Sequence, residues 1–284
     1  MSCIIRLSCH TLQVKEVFAM QRKMLFFDID GTILTEGTHI TPDSAVEAIR
    51  AARKSGHYTF INTGRTRFNI EPKLCEIGFD GYVCGCGTYI YFHDQKLFSQ
   101  SVPAHRCHEI IQLLRDCNIQ ALFEENSRVF FDNYISVNNK KLEELRARFG
   151  SKSIDIPETL DQSSIIFDKF VIWLNTRSDE VSFRRGIAPD FDYIDRGNGF
   201  AEIVPKGCSK ASGIAFLMNH LHIPITDCYA FGDSTNDLSM LEFVPNSIAM
   251  GNSMKEILPY CSYQTTDVLD DGIARALKHF HIIP

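Results

Sequence analysis

A chain of 284 residues, 44% hydrophobic and 23% charged, carries enough apolar surface to bury one large core or two smaller ones, and neither a disordered nor a fibrous chain has that balance. A formal charge of -6 argues against nucleic-acid partners, because phosphate backbones select basic surfaces, yet it excludes no anionic substrate. No apolar run reaches the length that crosses a bilayer, so no membrane partner is expected. Ten scattered cysteines, among them Cys84, Cys107, Cys117 and Cys228 inside predicted elements, read as reduced buried thiols of a cytoplasmic protein.

Residues 1–22 mix charges and hold no sustained apolar core before a small-residue cleavage site, so they are expected to be a disordered leader or an upstream start. The fold is expected to begin at Met24-Leu25-Phe26-Phe27, a continuous apolar run of the kind a strand buried on both faces shows. That run meets Asp28-Ile29-Asp30-Gly31-Thr32, which places two carboxylates at a strand end, where alternation turns both to one side. A lone Asp-x-Asp is more often a turn or a helix cap. Its meaning depends on what stands beside it.

Thr41-Pro42 then reads as a helix start with a hydroxyl cap, the apolar positions Ala45, Val46, Ile49 and Ala52 recur at helical spacing, and Gly56 closes the element. A strand over 58–61 ends at Asn62-Thr63-Gly64-Arg65, a helix over 67–76 stops at Gly78, and a third strand covers 82–84. This strand-helix alternation predicts right-handed crossovers and a mostly parallel, doubly wound α/β sheet. From Gly85 the texture changes: a hairpin over 88–102, a helix around Ile110 and Leu114, strands near 121–123 and 129–131, a helix marked by Leu142, Leu145 and Phe149, a long strand over 165–174, a helix over 180–185 and a strand over 191–194. Such a run suits an α+β domain over 86–193, inserted into a core made of 23–85 and 194–284. Buried-strand texture returns at 201–205, a helix follows Lys206-Gly207-Cys208-Ser209-Lys210, and a strand over 227–231 stops at Gly232-Asp233-Ser234-Thr235-Asn236-Asp237. A short strand over 247–250, a helical turn over 254–258 and a terminal helix over 272–280 complete the chain.

Four predicted strand or helix junctions therefore carry polar groups: Asp28 with Asp30, Thr63 with Arg65, Lys210, and Asp233 with Asn236 and Asp237. In an open α/β sheet these edges converge on one crevice. Carboxylates from two loops suit Mg²⁺, which takes oxygen ligands and retains waters or substrate phosphate oxygens. A hydroxyl and an ammonium at the same edge suit phosphoryl oxygens, and an ionised Asp can act as nucleophile beside a second acid that moves protons.

In their order, Asp28-Ile29-Asp30-Gly31-Thr32, Thr63-Gly64-Arg65, Lys210 and Gly232-Asp233-Ser234-Thr235-Asn236-Asp237 resemble the four motifs of the haloacid dehalogenase superfamily of phosphohydrolases, and the long insert resembles the cap of its Cof-type sugar-phosphatase branch. The resemblance implies a Rossmann-like core under an α+β cap, and hydrolysis of a small phosphorylated metabolite, a sugar phosphate first, through an aspartyl-phosphate. It implies Asp28 as nucleophile and metal ligand, Asp30 as general acid/base with its backbone carbonyl on Mg²⁺, and Asp233 and Asp237 as the rest of the metal set. Thr63, Gly64, Lys210 and Asn236 would hold the phosphoryl group. Lys206 lies four residues before Lys210 and competes for the third motif, while Cys86 stands where relatives commonly carry Asn. Arg65 reads as an ion-pair partner rather than a catalyst. Two other readings stay open: a phosphomutase that passes the same phosphoryl group to a second hydroxyl, and a receiver-like regulatory module with an acidic Mg²⁺ pocket.

Overall fold

The computed structural model describes residues 21–135, 139–158 and 165–284, so nearly all of the expected leader lies outside it. The apolar run forms β1 (Met24–Phe27), buried at every position. Its alternate side chains feed two cores, Leu25 and Phe27 on one face and Met24 and Phe26 on the other. Burial of each such side chain contributes about 1.5–3 kcal/mol, which fixes this strand at the centre of its sheet.

Helix α1 (Asp43–Lys54) turns Ala45, Ala48, Ile49 and Ala52 to the core at helical spacing. The hydroxyl cap expected from Thr41 is not made: Pro42 occupies the N-cap position in an extended conformation, and Thr41 Oγ1 is buried without a partner. One residue too far upstream, that hydroxyl cannot reach the first free N–H groups. After β2 (Tyr58–Asn62), the helix expected over 67–76 is split into a 3₁₀ turn at Arg67–Asn69 and the short α2 (Pro72–Cys75). Pro72 is the cause, since it lacks an N–H and pushes Glu71 into extended backbone.

Next come β3 (Gly81–Cys84), β4 (Tyr89–Phe92) and β5 (Gln95–Ser99). His93 and Asp94 join the last two with φ of 46° and 62°, the paired positive values of a tight hairpin turn. This hairpin, expected within the insert, pairs antiparallel with β3 and extends the first sheet. The chain then forms α3 (Ala104–Asp116), β6 (Gln120–Glu124), β7 (Val129–Asp132), α4 (Lys140–Phe149), β8 (Ser153–Ile156), β9 (Lys169–Trp173), α5 (Glu180–Ile187), β10 (Phe191–Asp195) and β11 (Phe200–Pro205). The strand expected from Ile165 starts only at Lys169, because the carbonyl of Phe167 is taken by the Val102 N–H of a crossing segment. Helix α6 (Lys210–Leu221), β12 (Cys228–Gly232), α7 (Leu238–Phe243), β13 (Asn246–Ala249), β14 (Tyr263–Gln264) and α8 (Gly272–His279) follow.

These strands make two sheets. The first runs β14-β13-β12-β1-β2-β3-β4-β5 and the second β10-β11-β9-β6-β7-β8. All pairings of the first sheet from β14 to β3 are parallel, and only the hairpin departs from that. In the second sheet one face is covered by α3 and α5, whose Ile110 and Phe183 join Phe170 of β9 in one core, while Leu122, Val129 and Val171 on the other pack with Leu142, Leu145 and Phe149 of α4. No helix among the described residues is long and apolar enough to cross a membrane.

Candidate active site

Strand order reverses at β1, which lies between β12 and β2, and ligands bind outside the carboxyl ends of strands at such a point. Register sets the level: Phe27 sits opposite both Phe231 and Ile61, so the chain leaves the sheet at Asp28, Thr63 and Asp233 side by side. The Asp28 N–H donates to the Phe231 carbonyl at 3.1 Å, continuing the ladder one residue past the strand.

Three carboxylates, those of Asp28, Asp233 and Asp237, have oxygens within 4.8 Å of one another, all on buried residues. Between two of them lies Lys210, whose ammonium donates to Asp28 Oδ1 and to Asp237 Oδ1 at 2.5 Å each. Helix α6 delivers this lysine as its first residue, with a capping box in which Ser209 and Ser212 each accept from the other's backbone N–H. The second oxygen of Asp237 accepts from the backbone N–H groups of Asp233 and Ser234 at 2.9 and 3.1 Å. Both of its oxygens are thus engaged in holding the loop and the lysine. Lys206, the rival for the third motif, donates to the carbonyl of Ala188 at 2.5 Å and is exposed, so it takes no part.

Gly31 makes the approach of Asp233 feasible. With φ of +81° it occupies backbone that favours glycine, and a Cβ there would lie 2.2 Å from Asp233 Oδ2. Thr32 Oγ1 donates to the other oxygen of Asp233 at 3.3 Å, and Asn252 Nδ2 secures the turn through the Gly31 carbonyl at 2.8 Å.

Asp30 faces elsewhere. Both its oxygens accept from Arg65, at 2.8 Å from Nε and 2.5 Å from Nη2, and Arg65 reaches on to Glu71 at 2.7 Å. Its carboxylate therefore stands outside the three-acid group, and the metal contact expected of Asp30 was one through its backbone carbonyl. Thr63 Oγ1 accepts from the Arg65 N–H at 3.1 Å, Gly64 and Asn236 line the same cavity, and the Asn236 carboxamide oxygen accepts from Ser234 Oγ at 2.7 Å.

Burial is the dominant electrostatic force. It pushes Asp28 up to about 7, with Asp237 and Asp30 adding repulsion against the relief that Lys210 gives. Asp233 is pushed up to about 9 by burial and by Asp237 and Asp28. Lys210 would lose its proton more readily through burial alone, but Asp237 and Asp28 hold it firmly protonated. One ammonium faces three buried acids, and that shortage of positive charge, with burial, favours the protonated forms of Asp28 and Asp233.

Sequence reasoning missed what closes the other side of the cavity. Lys169 on β9 is buried and donates to Glu202 Oε2 at 2.7 Å and to the carbonyl of Gly64 at 2.9 Å, with Glu124 Oε2 at 3.2 Å. Glu202 also accepts from Arg196 Nη1 at 3.1 Å and from the Cys86 thiol at 3.3 Å. Burial alone would raise Glu202, yet Lys169 and Arg196 bring it down to about 2. The available signal was a charged residue within the otherwise apolar strand Ala201-Glu202-Ile203-Val204, which needs a buried partner. Cys86 has φ of 54°, left-handed backbone that Asn tolerates better than most residues.

The family description "haloacid dehalogenase-like hydrolase" matches residues 25–277. The putative phosphatase YkrA of Bacillus subtilis is 30% identical over 269 residues, covering 93% of this chain and all of that one. The pyridoxal phosphate phosphatase YbhA of Escherichia coli is 25% identical over 280 residues, covering 93% and 100%. Among solved structures, the HAD subclass IIB sugar phosphatase BT4131 superposes with a TM-score of 0.77 at 26% identity, over 92% of this chain and all of that one. The chain belongs to the haloacid dehalogenase-like hydrolases, in their Cof-type branch, and is a phosphatase of that family.

Proposed function

We propose that this protein is a Mg²⁺-dependent phosphomonoesterase that hydrolyses a small phosphorylated metabolite through an aspartyl-phosphate on Asp28. The observation that carries the reading is the donor set of the site: three buried carboxyl groups face a single buried ammonium, and burial and mutual repulsion push Asp28 and Asp233 up to about 7 and about 9, so their ionised forms call for further positive charge, which a divalent cation would supply. Oxygen-only donors of this kind suit a hard cation. Asp28 and Asp233 would hold it, since Asp237 already gives both oxygens to the lysine and the loop. Such a cation supplies positive charge to the phosphoryl oxygens and keeps Asp28 ionised.

The chain's own groups then divide the work. An oxygen of Asp28 attacks phosphorus in line, the ester oxygen leaves with the bond pair, and the phosphoryl group becomes an acyl phosphate on Asp28. Lys210 and Thr63 bind the equatorial oxygens, with the Gly64 backbone and Asn236 at the cavity wall. Asp30 protonates the leaving oxygen and afterwards takes a proton from the water that cleaves the acyl phosphate. For that it must turn away from Arg65, which occupies both its oxygens in this structure. The second sheet, with α4, would act as the cap that shields the reaction from bulk water.

The names of the relatives support a small phosphorylated metabolite: one is a pyridoxal phosphate phosphatase and one neighbour a sugar phosphatase. The cysteines among the described residues are free, which supports the proposal of a cytoplasmic location. Phosphate release from p-nitrophenyl phosphate, with and without Mg²⁺, in the wild type and Asp28→Asn tests the reading. Mg²⁺-dependent release that the substitution abolishes is expected. Release that survives Asp28→Asn removes the nucleophile, and transfer to a second hydroxyl without free phosphate identifies a mutase.

A further inference from the structure

Thr63, Gly64 and Arg65 line the cavity together with Asp28, and nearly all of their backbone groups are already committed. The Thr63 N–H donates to the Val83 carbonyl at 2.9 Å and the Arg65 N–H to Thr63 Oγ1 at 3.1 Å. The carbonyls of Thr63, Gly64 and Arg65 accept from the Cys86 N–H at 3.1 Å, from Lys169 Nζ at 2.9 Å and from the Gly85 N–H at 2.8 Å. Two donors of the segment find no acceptor among the described residues: the Gly64 N–H, and the Thr63 hydroxyl, whose oxygen accepts while its own hydrogen goes nowhere. Donors left in that state beside a cavity are the ones a ligand's oxygens complete.

Val83, Gly85 and Cys86 belong to β3 and the turn after it, next to β2 in the first sheet. Among the groups that fix the segment's backbone, Lys169 alone comes from the second sheet. It acts at a particular bond. The Gly64 carbonyl and the Arg65 N–H are the two ends of one planar peptide unit, so an ammonium that holds the first orients the second, and the second holds Thr63 Oγ1. Glu202 closes on the same point: a Cβ on Gly64 would lie 2.9 Å from Glu202 Oε2, so Lys169 and its acid partner reach the loop because position 64 has no side chain. Charge balance with Glu124 and Glu202 accounts for two of the acceptors around Lys169, at 3.2 and 2.7 Å, and leaves the bond to Gly64 unexplained.

We propose that Lys169 is a positioning residue for phosphoryl transfer: from the second sheet it pins the Gly64–Arg65 peptide, which keeps the Arg65 N–H on Thr63 Oγ1 and leaves the Thr63 hydroxyl and the Gly64 N–H to donate to the phosphoryl oxygens. This rests on the phosphatase reading and gives the second sheet a part in holding the transferred group, beyond shielding it from water. Without the ammonium the peptide is free to rotate, the Arg65 N–H leaves Thr63, and the hydroxyl loses the bond that directs its hydrogen. Docking of the second sheet would then be what completes the phosphoryl site.

Lys169→Met alone would leave two buried acids short of a cation, so the substitution is made in Glu124→Gln protein, where Arg196 still pairs with Glu202. Relative to Glu124→Gln, adding Lys169→Met is expected to lower kcat/KM about 10-fold, and by the same factor for acetyl phosphate and p-nitrophenyl phosphate, because the contact is to the group they share. In Thr63→Val protein the same addition is expected to cost less than about 3-fold, since both changes act through one hydroxyl. Hydrogen exchange at the Arg65 N–H, read by NMR, is expected to quicken about 10-fold, with the urea midpoint reporting separately on the fold. An equal loss with and without Thr63→Val, a loss confined to one leaving group, or unchanged exchange at Arg65 overturns the proposal. If the wild type hydrolyses neither ester, the phosphatase reading fails by itself, and the exchange at Arg65 still decides whether Lys169 holds the peptide.

Discussion

Replacing Gly31 with alanine perturbs one ligand of the acidic cluster with little harm to the fold. The residue has φ of +81°, so any side chain there costs about 1–2 kcal/mol in backbone strain. The added methyl would also lie 2.2 Å from Asp233 Oδ2, where real contacts are no closer than 3.0 Å, so the carboxylate must retreat by 0.8 Å. Strain alone lowers the melting temperature by about 2–8 °C in a chain of this size, which leaves a folded protein. A displacement approaching 1 Å in a group that positions the reaction costs on the order of 100-fold in rate. Gly31→Ala is therefore expected to unfold only slightly earlier while losing about 99% of Mg²⁺-supported phosphate release, and its half-maximal Mg²⁺ concentration should rise. Calorimetry and a Mg²⁺ titration of initial rates measure the two effects separately. Unchanged turnover with unchanged Mg²⁺ dependence would refute the role given to Asp233.

Lys210→Met should abolish activity and destabilise the fold by about 3–5 kcal/mol in the absence of metal, because Asp28 and Asp237 would be left buried without their shared cation; urea unfolding at pH 7 measures this. Glu202 is held at about 2, well below its unfolded value of 4.5, so it contributes stability above pH 4.5 that is lost as the pH falls toward 2. Glu202→Gln should remove about 3 kcal/mol at neutral pH and flatten the pH dependence of urea unfolding across that interval. Cys86→Asn should retain wild-type stability within about 1 kcal/mol, because Asn accepts left-handed backbone and can donate to Glu202, whereas Cys86→Val should cost more than about 2 kcal/mol; thermal unfolding of the pair tests this.

The first sheet was legible because its central parallel strands are short apolar runs that end in polar junctions, and the register puts three of the four junctions, at Asp28, Thr63 and Asp233, side by side, while α6 brings in Lys210. Lys210 was separable from Lys206 by its place in the capped start of α6, and the structure turns Lys206 to the surface. Less was visible where chain-distant partners decide the outcome. The hold of Arg65 on Asp30 spans 35 positions, and the Lys169 contact with Gly64 spans 105. The hairpin at 89–99 was drawn into the wrong segment because its alternation shows a half-buried strand and not the sheet it joins. The 67–76 helix is broken by Pro72, whose fixed geometry interrupts the helical path before the hydrophobic pattern ends, and the Thr41 cap is missed because Pro42 stands at the N-cap and not inside the helix, which leaves Thr41 one residue too far upstream.

The central claim is that the phosphoryl group passes through Asp28. Acid quenching during turnover of a phosphate ester with Mg²⁺, followed by peptide mass spectrometry, tests it most directly. The account predicts an acyl phosphate on the peptide containing Asp28 in the wild type and none in Asp28→Asn. Steady turnover by the wild type with no phosphorylated Asp28, or the same rate in Asp28→Asn, would contradict it.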